Sequence, residues 1–403
     1  MNENIRDLKD LIHHYGPPDA LVDNYSLKSG YAIWGFEQSF YFSKNDFFYN
    51  NTKEDCNPFD RAQTLLDFWI RDVSDIKAIG FLSYDIKNII YPHILFKTPK
   101  TDFPYMWFGK PKKIRKYSIE SDCSTPNKKF LYPIRNIETL SNYKNIIKKI
   151  KKELSAGNTY QINLTMEKIF EIDATPLDIY LSIRQYAKPQ YGYYLNIGSE
   201  QILSFSPEQF FHTKGKSIYT YPMKGTIARG QNNSEDKIMK QKLKDSKKDK
   251  AEHIMIVDLL RNDLGKICEY GSIDVQELFS IRDYPTVYQM VSCIYGELRG
   301  KISYIDIFKA LCPGGSITGA PKESSMKIID LLENYNRGMY TGNIGYIDYN
   351  SDMHFNMAIR TMIIKKHIAQ YCVGGGIVWD SRAEEEWHEA QLKSKILDKF
   401  IRG

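Results

Sequence analysis

The residues able to do chemistry lie in a few short stretches. Ser206-Pro207-Glu208 is followed by Tyr221-Pro222-Met223-Lys224-Gly225-Thr226, which sets a glutamate and a lysine a strand and a turn apart. Pro222 stiffens the approach to Lys224, and Gly225 lets backbone lie close to a bound molecule. Residues 217–221 are β-branched and aromatic, so Lys224 is expected just past a strand end. A lysine held there out of water can shed its proton and act as a nucleophile. The same lysine in a solvated turn would do nothing, and residue type alone leaves both readings open.

Five further features share that double reading. Gln161 and Asn163 alternate within residues 160–165 and so face one side of a strand, either solvent or a cleft. The turn Pro313-Gly314-Gly315-Ser316-Ile317-Thr318-Gly319-Ala320-Pro321-Lys322 leads into a helix. It offers backbone N–H groups to an anion, or is a plain turn. It is neither a dinucleotide fingerprint nor a Walker motif. Arg360 falls inside the apolar run 357–364, read as a strand, where its charge needs a carboxylate partner from the protein or from a ligand. Gly374-Gly375-Gly376 follows a strand-like run, so something is expected to press on that backbone. Glu386 and Glu389 share a face of the last helix, solvated or set to bind a hard cation.

The elements that would position these groups follow from periodicity. Helices are expected over 60–69, with Ala62, Leu65, Leu66 and Trp69 inward, and over 142–156, closed by Gly157. A third spans 249–264, with Glu252 in its first turn and Ala251, Ile254, Met255 and Leu259 as its apolar side. Others span 305–311 and 383–401. Short strands are expected at 31–34, 40–42, 79–84, 160–165 and 343–347. Residues 97–133, rich in lysine and proline, read as loop and linker.

Composition narrows the class. The 403 residues suffice for one large domain or two modest ones, and 42% hydrophobic with 26% charged residues is ordinary for a globular soluble protein. A net charge of +6 is mild. Lysine runs such as Lys148-Lys149 and Lys247-Lys248 are interleaved with acids, which reads as a solvated face and not as a nucleic-acid surface. Cys56, Cys123, Cys268, Cys293, Cys312 and Cys372 form no Cys-x-x-Cys pair, so they read as reduced thiols of a cytoplasmic protein. The polar start Met1-Asn2-Glu3-Asn4-Ile5 does not read as a signal peptide. No apolar run approaches the roughly 20 residues of a membrane helix.

Taken together, the segments 157–164, 206–210, 222–226, 249–265, 313–322, 342–346, 359–361, 374–380 and 386–397 resemble, in order, the chorismate-utilising enzymes. That family includes the large chains of anthranilate synthase and aminodeoxychorismate synthase and the isochorismate synthases. The resemblance implies an α+β fold: two large antiparallel β-sheets packed together, helices on the outside, and the active site in the cleft between them. It implies one domain over 1–403, with a divergent N-terminal part (1–130) and a chorismate-binding core (142–400).

The resemblance also implies roles. Isochorismate synthases carry a lysine base where this chain has Gln161, so hydration of the ring is disfavoured. Anthranilate synthases carry alanine where this chain has Lys224. The aminodeoxychorismate branch carries lysine in Pro-Ile-Lys-Gly-Thr, resembling Pro222-Met223-Lys224-Gly225-Thr226 here. Lys224 would then be the nucleophile and Glu208 the acid that protonates the leaving hydroxyl. Mg²⁺ on Glu252 and Glu389, with Glu386 nearby, would bind the ring carboxylate of chorismate. Arg360, Tyr340 and the Gly374–Gly376 backbone would hold the other carboxylate. Gln161, Thr226, Thr318, Gly319, Gly342 and Lys393 would complete the substrate site. Ammonia would come from a glutamine amidotransferase subunit, since no Gly-x-Cys-x-Gly turn occurs in this sequence. The alternatives are an anthranilate synthase component I and a catalytically impaired chorismate-binding subunit.

Two departures stand out. Gln289, in Val287-Tyr288-Gln289-Met290-Val291-Ser292, replaces the family's usual histidine and cannot donate a proton as imidazolium does. Ile227-Ala228 replaces the usual Arg-Pro, which suggests a differently placed loop.

Overall fold

A computed structural model of the chain describes residues 6–119, 128–136, 139–284 and 287–402. Met1–Ile5 and Cys123 lie outside the described residues. The architecture is α+β. The two expected sheets are wings of one hydrogen-bonded network, antiparallel apart from a two-residue pairing of Arg6–Asp7 with Met106–Ser118 and an isolated bridge at Leu131 and Ile401. One wing runs Ala20–Asn24, Tyr191–Asn196, Glu200–Ser206, Thr361–Lys365, Ile368–Ile377, Gln161–Ile172 and Leu131–Asn136. The other runs Ile76–Leu82, Asn343–Asp348, Met353–Met357, Gln209–Lys214, Ser217–Thr220 and Val287–Glu297. Met223–Ala228 and Asp274–Asp283 flank that last strand.

The wings are joined by two long strands paired with each other: Ser29–Ser43, which pairs with Ala20–Asn24 of the first wing, and Met106–Ser118, which pairs with Ile76–Leu82 of the second. The runs at 31–34 and 40–42 are therefore one strand of 15 residues. Residues 97–133 are not a linker, because 13 of them form a central strand. Its lysine-rich composition hid it, and so did Pro111. That proline is tolerated because it sits at the register shift between Phe36 and Gln38, where the ladder is already broken.

Helices begin where capping side chains stand. Asn57 caps Pro58–Trp69 with bonds from the N–H groups of Phe59 and Asp60, and Ala62, Leu65, Leu66 and Trp69 are buried as expected. Thr139 caps Leu140–Ser155, which buries Tyr143, Ile146, Ile147 and Ile150. Tyr304–Leu311 starts with a full capping box of Ser303 and Asp306. The helix expected from 249 starts earlier, at Lys247, capped by Ser246, so Glu252 lies in its second turn. Its buried face is His253, Ile256, Val257, Leu260 and Leu264, not the expected one, and Ile254 is exposed. The helix is apolar on more than one side, so periodicity alone could not choose. The last helix stops at Lys393, and Lys395–Phe400 continues as a 3-10 turn. The core spans both wings, with Phe211, Phe308 and Phe355 packed ring on ring at centroid distances of 4.9–5.9 Å.

Candidate active site

The centre of the site is the ladder between Gln161–Ile172 and Ile368–Ile377. It pairs Gly376 with Asn163, Gly375 with Leu164 and Gly374 with Thr165. A Cβ on Gly376 would lie 2.9 Å from Gln161 Nε2 and 3.1 Å from Lys224 Nζ, so the missing side chain leaves room for both polar tips. A Cβ on Gly375 would lie 3.6 Å from both Glu386 Oε2 and Lys393 Nζ, and 3.8 Å from Glu389 Oε1. Adjacent glycines thus open onto two sets of groups, a lysine with a carboxamide and two carboxylates with an ammonium.

Lys224 is the second residue of the strand Met223–Ala228, not a residue beyond a strand end. The ladder shifts register between Lys224 and Thr226, and Gly225 there has φ +75. This bulge bends the strand against the first turn of the Lys247–Gly265 helix, where Asp249 leaves only 3.0 Å for a Cβ on Gly225. Ile227 and Ala228, which stand in place of the usual Arg-Pro, continue the strand. Burial pulls the Lys224 ammonium below the ordinary lysine range and Lys393 adds to this, while Glu252, Glu208 and Glu389 oppose it.

Glu208 stands across from Lys224. Burial pushes its carboxyl up to about 7, against the pull of Lys224 and a 3.2 Å hydrogen bond donated by Ser316. Gln161 is fully buried, and neither its Nε2 nor its Oε1 has a partner. Leaving both ends of an amide unsatisfied is costly unless a ligand meets them. The Gln161/Asn163 strand face is therefore turned into the interior and not to solvent. Gly319 and Ala320 pair with Ile162 and Gln161. Thr318 is buried, and its hydroxyl donates to the Gly314 carbonyl at 2.9 Å.

The carboxylates form an outer rim. Ser381 donates to Glu386 at 2.6 Å, and Lys393 bonds both Glu389 and the Gly374 carbonyl at 2.8 Å. Burial raises Glu252 and Glu386, and neighbouring carboxylates add to each. Burial also pulls Glu389 up, but Lys393, with Lys224 and Lys248, outweighs it and leaves the group below its ordinary range. Among the described residues no three acidic, histidine or cysteine side chains are assembled closely enough to enclose a metal.

The pattern of the chorismate binding enzymes matches residues 18–399. The chain belongs to the chorismate binding enzyme family. Aminodeoxychorismate synthase component 1 of Bacillus subtilis (strain 168) is 39% identical over 263 residues, which cover 65% of this chain and 56% of that protein. The chloroplastic aminodeoxychorismate synthase of Arabidopsis thaliana is 39% identical, but the match spans only 31% of its length. Anthranilate synthase component 1 of Saccharolobus solfataricus is 33% identical over 340 residues, 80% of each chain. The crystal structure of anthranilate synthase component I from Streptococcus pneumoniae TIGR4 superposes with a TM-score of 0.79 at 26% identity, covering 92% of both chains. Two activities are thus matched at similar identity.

Within this chorismate binding enzyme, not every expected residue joins the cluster. Arg360 is not in a strand. It lies between Met353–Met357 and Thr361–Lys365 with φ +51, exposed, and it forms no ion pair among the described residues. The apolar run around it concealed this kink. Thr226 is exposed, and Gln289 Nε2 stands 3.5 Å from its hydroxyl, at the outer limit of a hydrogen bond. Tyr340 is buried, and Gly342 packs against the Leu82 carbonyl. Ser316, Ser381, Glu333 and Arg337 were missed. Ser316 sat within the glycine-rich turn already singled out. A lone serine before a helix and a lone arginine in a turn carried no signal.

Proposed function

We propose that the chain is the chorismate-aminating component of an aminodeoxychorismate synthase, converting chorismate and ammonia to 4-amino-4-deoxychorismate, a precursor of 4-aminobenzoate and folate. The observation that carries this reading is Lys224, largely withdrawn from water with Nζ against Gly376 and Gln161 and facing Glu208. An anthranilate synthase resembling those of the family would need no lysine there.

In this reading Gln161 and the backbone of Gly374–Gly376 seat the ring, with Thr318 and Gly319 behind them. Arg360, exposed outside this cluster and without an ion pair among the described residues, takes a carboxylate that comes within its reach, and Tyr340 and Gly342 shape the same side. Thr226 and Lys393 border the opening. Glu252, Glu386 and Glu389 would hold Mg²⁺. The chemistry of the donor set fits, because hard carboxylate oxygens suit that ion and a cation relieves the mutual repulsion of Glu386 and Glu389; the three carboxylates would have to draw together around it. When bound, the ion supplies Lewis-acid polarisation of the ring carboxylate.

Lys224, deprotonated, forms a bond to ring carbon 2. Both ring double bonds shift, from carbons 1–2 to carbons 1–6 and from carbons 5–6 to carbons 4–5, the carbon 4–oxygen bond breaks, and Glu208 gives its proton to the departing hydroxyl, which leaves as water. The new secondary ammonium returns a proton to Glu208. Ammonia then bonds to carbon 4, both ring double bonds shift back to carbons 5–6 and 1–2, the carbon 2–nitrogen bond breaks, and Lys224 leaves with a proton from the incoming nitrogen. Dividing one hard displacement into two is the gain of covalent catalysis.

The reading takes residues 1–403 as one domain, supported by N-terminal strands that pair with C-terminal ones, such as Ile76–Leu82 with Asn343–Asp348. It takes a separate glutamine amidotransferase as the ammonia source. It places the protein in the cytoplasm, in keeping with the free thiols of the cysteines among the described residues, and no described helix is long and apolar enough to cross a membrane. The second reading, anthranilate synthase, is favoured by the longer match to the Saccharolobus protein. Incubation with chorismate, Mg²⁺ and an ammonium salt separates the two by product mass. Exchange of hydroxyl for amine with the enolpyruvyl group retained supports amination at carbon 4. Anthranilate refutes it, and an isomer of chorismate means that water was added despite Gln161.

A further inference from the structure

Behind the site lies a buried pair that no part of the chemistry above uses. Arg337 is 1% exposed and Glu333 6%. They meet as a fork, with Nε to Oε2 at 2.8 Å and Nη2 to Oε1 at 2.7 Å. The remaining donors of Arg337 reach three separate segments. Nη2 donates to the Asn163 carbonyl at 2.6 Å, and Nη1 donates to the Ile317 carbonyl at 2.9 Å and to the Thr341 hydroxyl at 3.3 Å. Glu333 Oε1 in turn accepts from the Thr165 N–H at 2.9 Å and the Thr165 hydroxyl at 2.8 Å. The Tyr84 ring covers the guanidinium at 4.5 Å, so water is kept from this face.

Each segment gripped carries site residues. Asn163 and Thr165 are the strand partners of Gly376 and Gly374. Ile317 precedes Thr318 and Gly319. Thr341 lies between Tyr340 and Gly342 and has φ +63, an unfavourable conformation for a β-branched residue that surrounding bonds must hold. A planar fork can satisfy all these acceptors at once, whereas a lysine ammonium cannot.

We propose that Arg337, oriented by Glu333, is a positioning residue that fixes three segments of the chorismate site in register. The proposal rests on the reading that the Gly374–Gly376, Thr318–Gly319 and Tyr340–Gly342 segments contact chorismate. It does not require the amination chemistry.

The test is equilibrium binding of chorismate in the presence of Mg²⁺, measured on the full chain beside a thermal melt. Arg337→Lys is expected to weaken chorismate binding about tenfold or more, since displacements of an ångström are costly at such sites. The KM for ammonium should stay unchanged. The control is Arg184→Lys, which disturbs another buried pair, Arg184 with Asp23 at 2.9 Å, whose partners Tyr117 and Tyr180 belong to no site segment. It should lower the melting temperature and leave chorismate affinity within about twofold. Folded Arg337→Lys protein with wild-type affinity overturns the proposal, as does an equal loss of affinity in the control. Should Arg337→Lys fail to fold, Thr341→Val removes one acceptor and keeps the shape. A loss of about threefold supports the proposal, and unchanged affinity overturns it. Wild-type protein that binds chorismate but yields a different product refutes the amination reading while leaving the binding comparison to decide this one.

Discussion

Two neighbouring regions of the site treat charge differently. In the inner nook, around Gly376, burial drives groups toward neutrality: Lys224 falls below its ordinary range, Glu208 rises to about 7, and Gln161 is left without partners. At the rim, around Gly375, burial raises Glu386 too, although Ser381 donates to it, while Lys393 holds Glu389 charged, below its ordinary range. Reactive protonation states need the first environment, and holding a dianion or a cation suits the second. One residue separates the two along a single strand, so two adjacent glycines give one ligand access to both.

That contrast can be broken at the rim first. Chelation with EDTA should abolish turnover, and Mg²⁺ should restore it, because neither carboxylate of the substrate can be held against Glu386 and Glu389 without a cation. Turnover that persists without metal removes the metal role of those glutamates. In the nook, Lys224→Ala should lower kcat on the order of 10³-fold and eliminate any covalent adduct seen by mass spectrometry of quenched enzyme. An unchanged rate rules out Lys224 as the nucleophile. Glu208→Gln should cost on the order of 10²-fold. The sign of the pH dependence follows from burial. Glu208 must be protonated to act as an acid, so kcat should fall as pH rises through about 7, and that alkaline limb should vanish in Glu208→Gln.

The rim and the nook were not equally legible from sequence. Glu386 and Glu389 share a helix face by spacing alone, and the structure brings both to Gly375. Gln161 was assigned to a strand face whose exposure alternation could not decide, because a cleft-lining carboxamide and a solvated one look alike until the partner strand is known. Lys224 was found through its motif, but its bulge was not, since the register shift depends on pairing with Val287–Glu297 some 60 residues away. Arg360 was misplaced because an apolar run looks like a continuous strand even where φ turns positive. The divergent first third was the least readable. Its main strand is lysine-rich and contains proline, and only its neighbours on both sides make it a strand. Local patterns placed five helices but not Pro176–Ala187 or Asn233–Asp245, and ladder registers and the bonds of the Glu333–Arg337 fork to Asn163 and Thr165 arise from contacts far apart in sequence.

Two smaller effects sharpen the comparison. Arg360→Gln should raise the KM for chorismate about tenfold with kcat little changed, as expected for a group that holds the substrate equally before and during reaction. A matching loss in kcat would move Arg360 from substrate holding into the chemistry. The smallest effect has the opposite sign on stability. Gln161 buries an amide with no partner at either end, a debt of about 1–3 kcal/mol for each unsatisfied group. Gln161→Leu removes those polar atoms at similar volume, so the ligand-free protein should become more stable by about 1 kcal/mol while losing activity. Chemical denaturation of both proteins, with and without chorismate, measures this directly. If the leucine variant is less stable, Gln161 has a partner in the free protein, and the nook is not held open for a ligand in the way its orphaned amide implies.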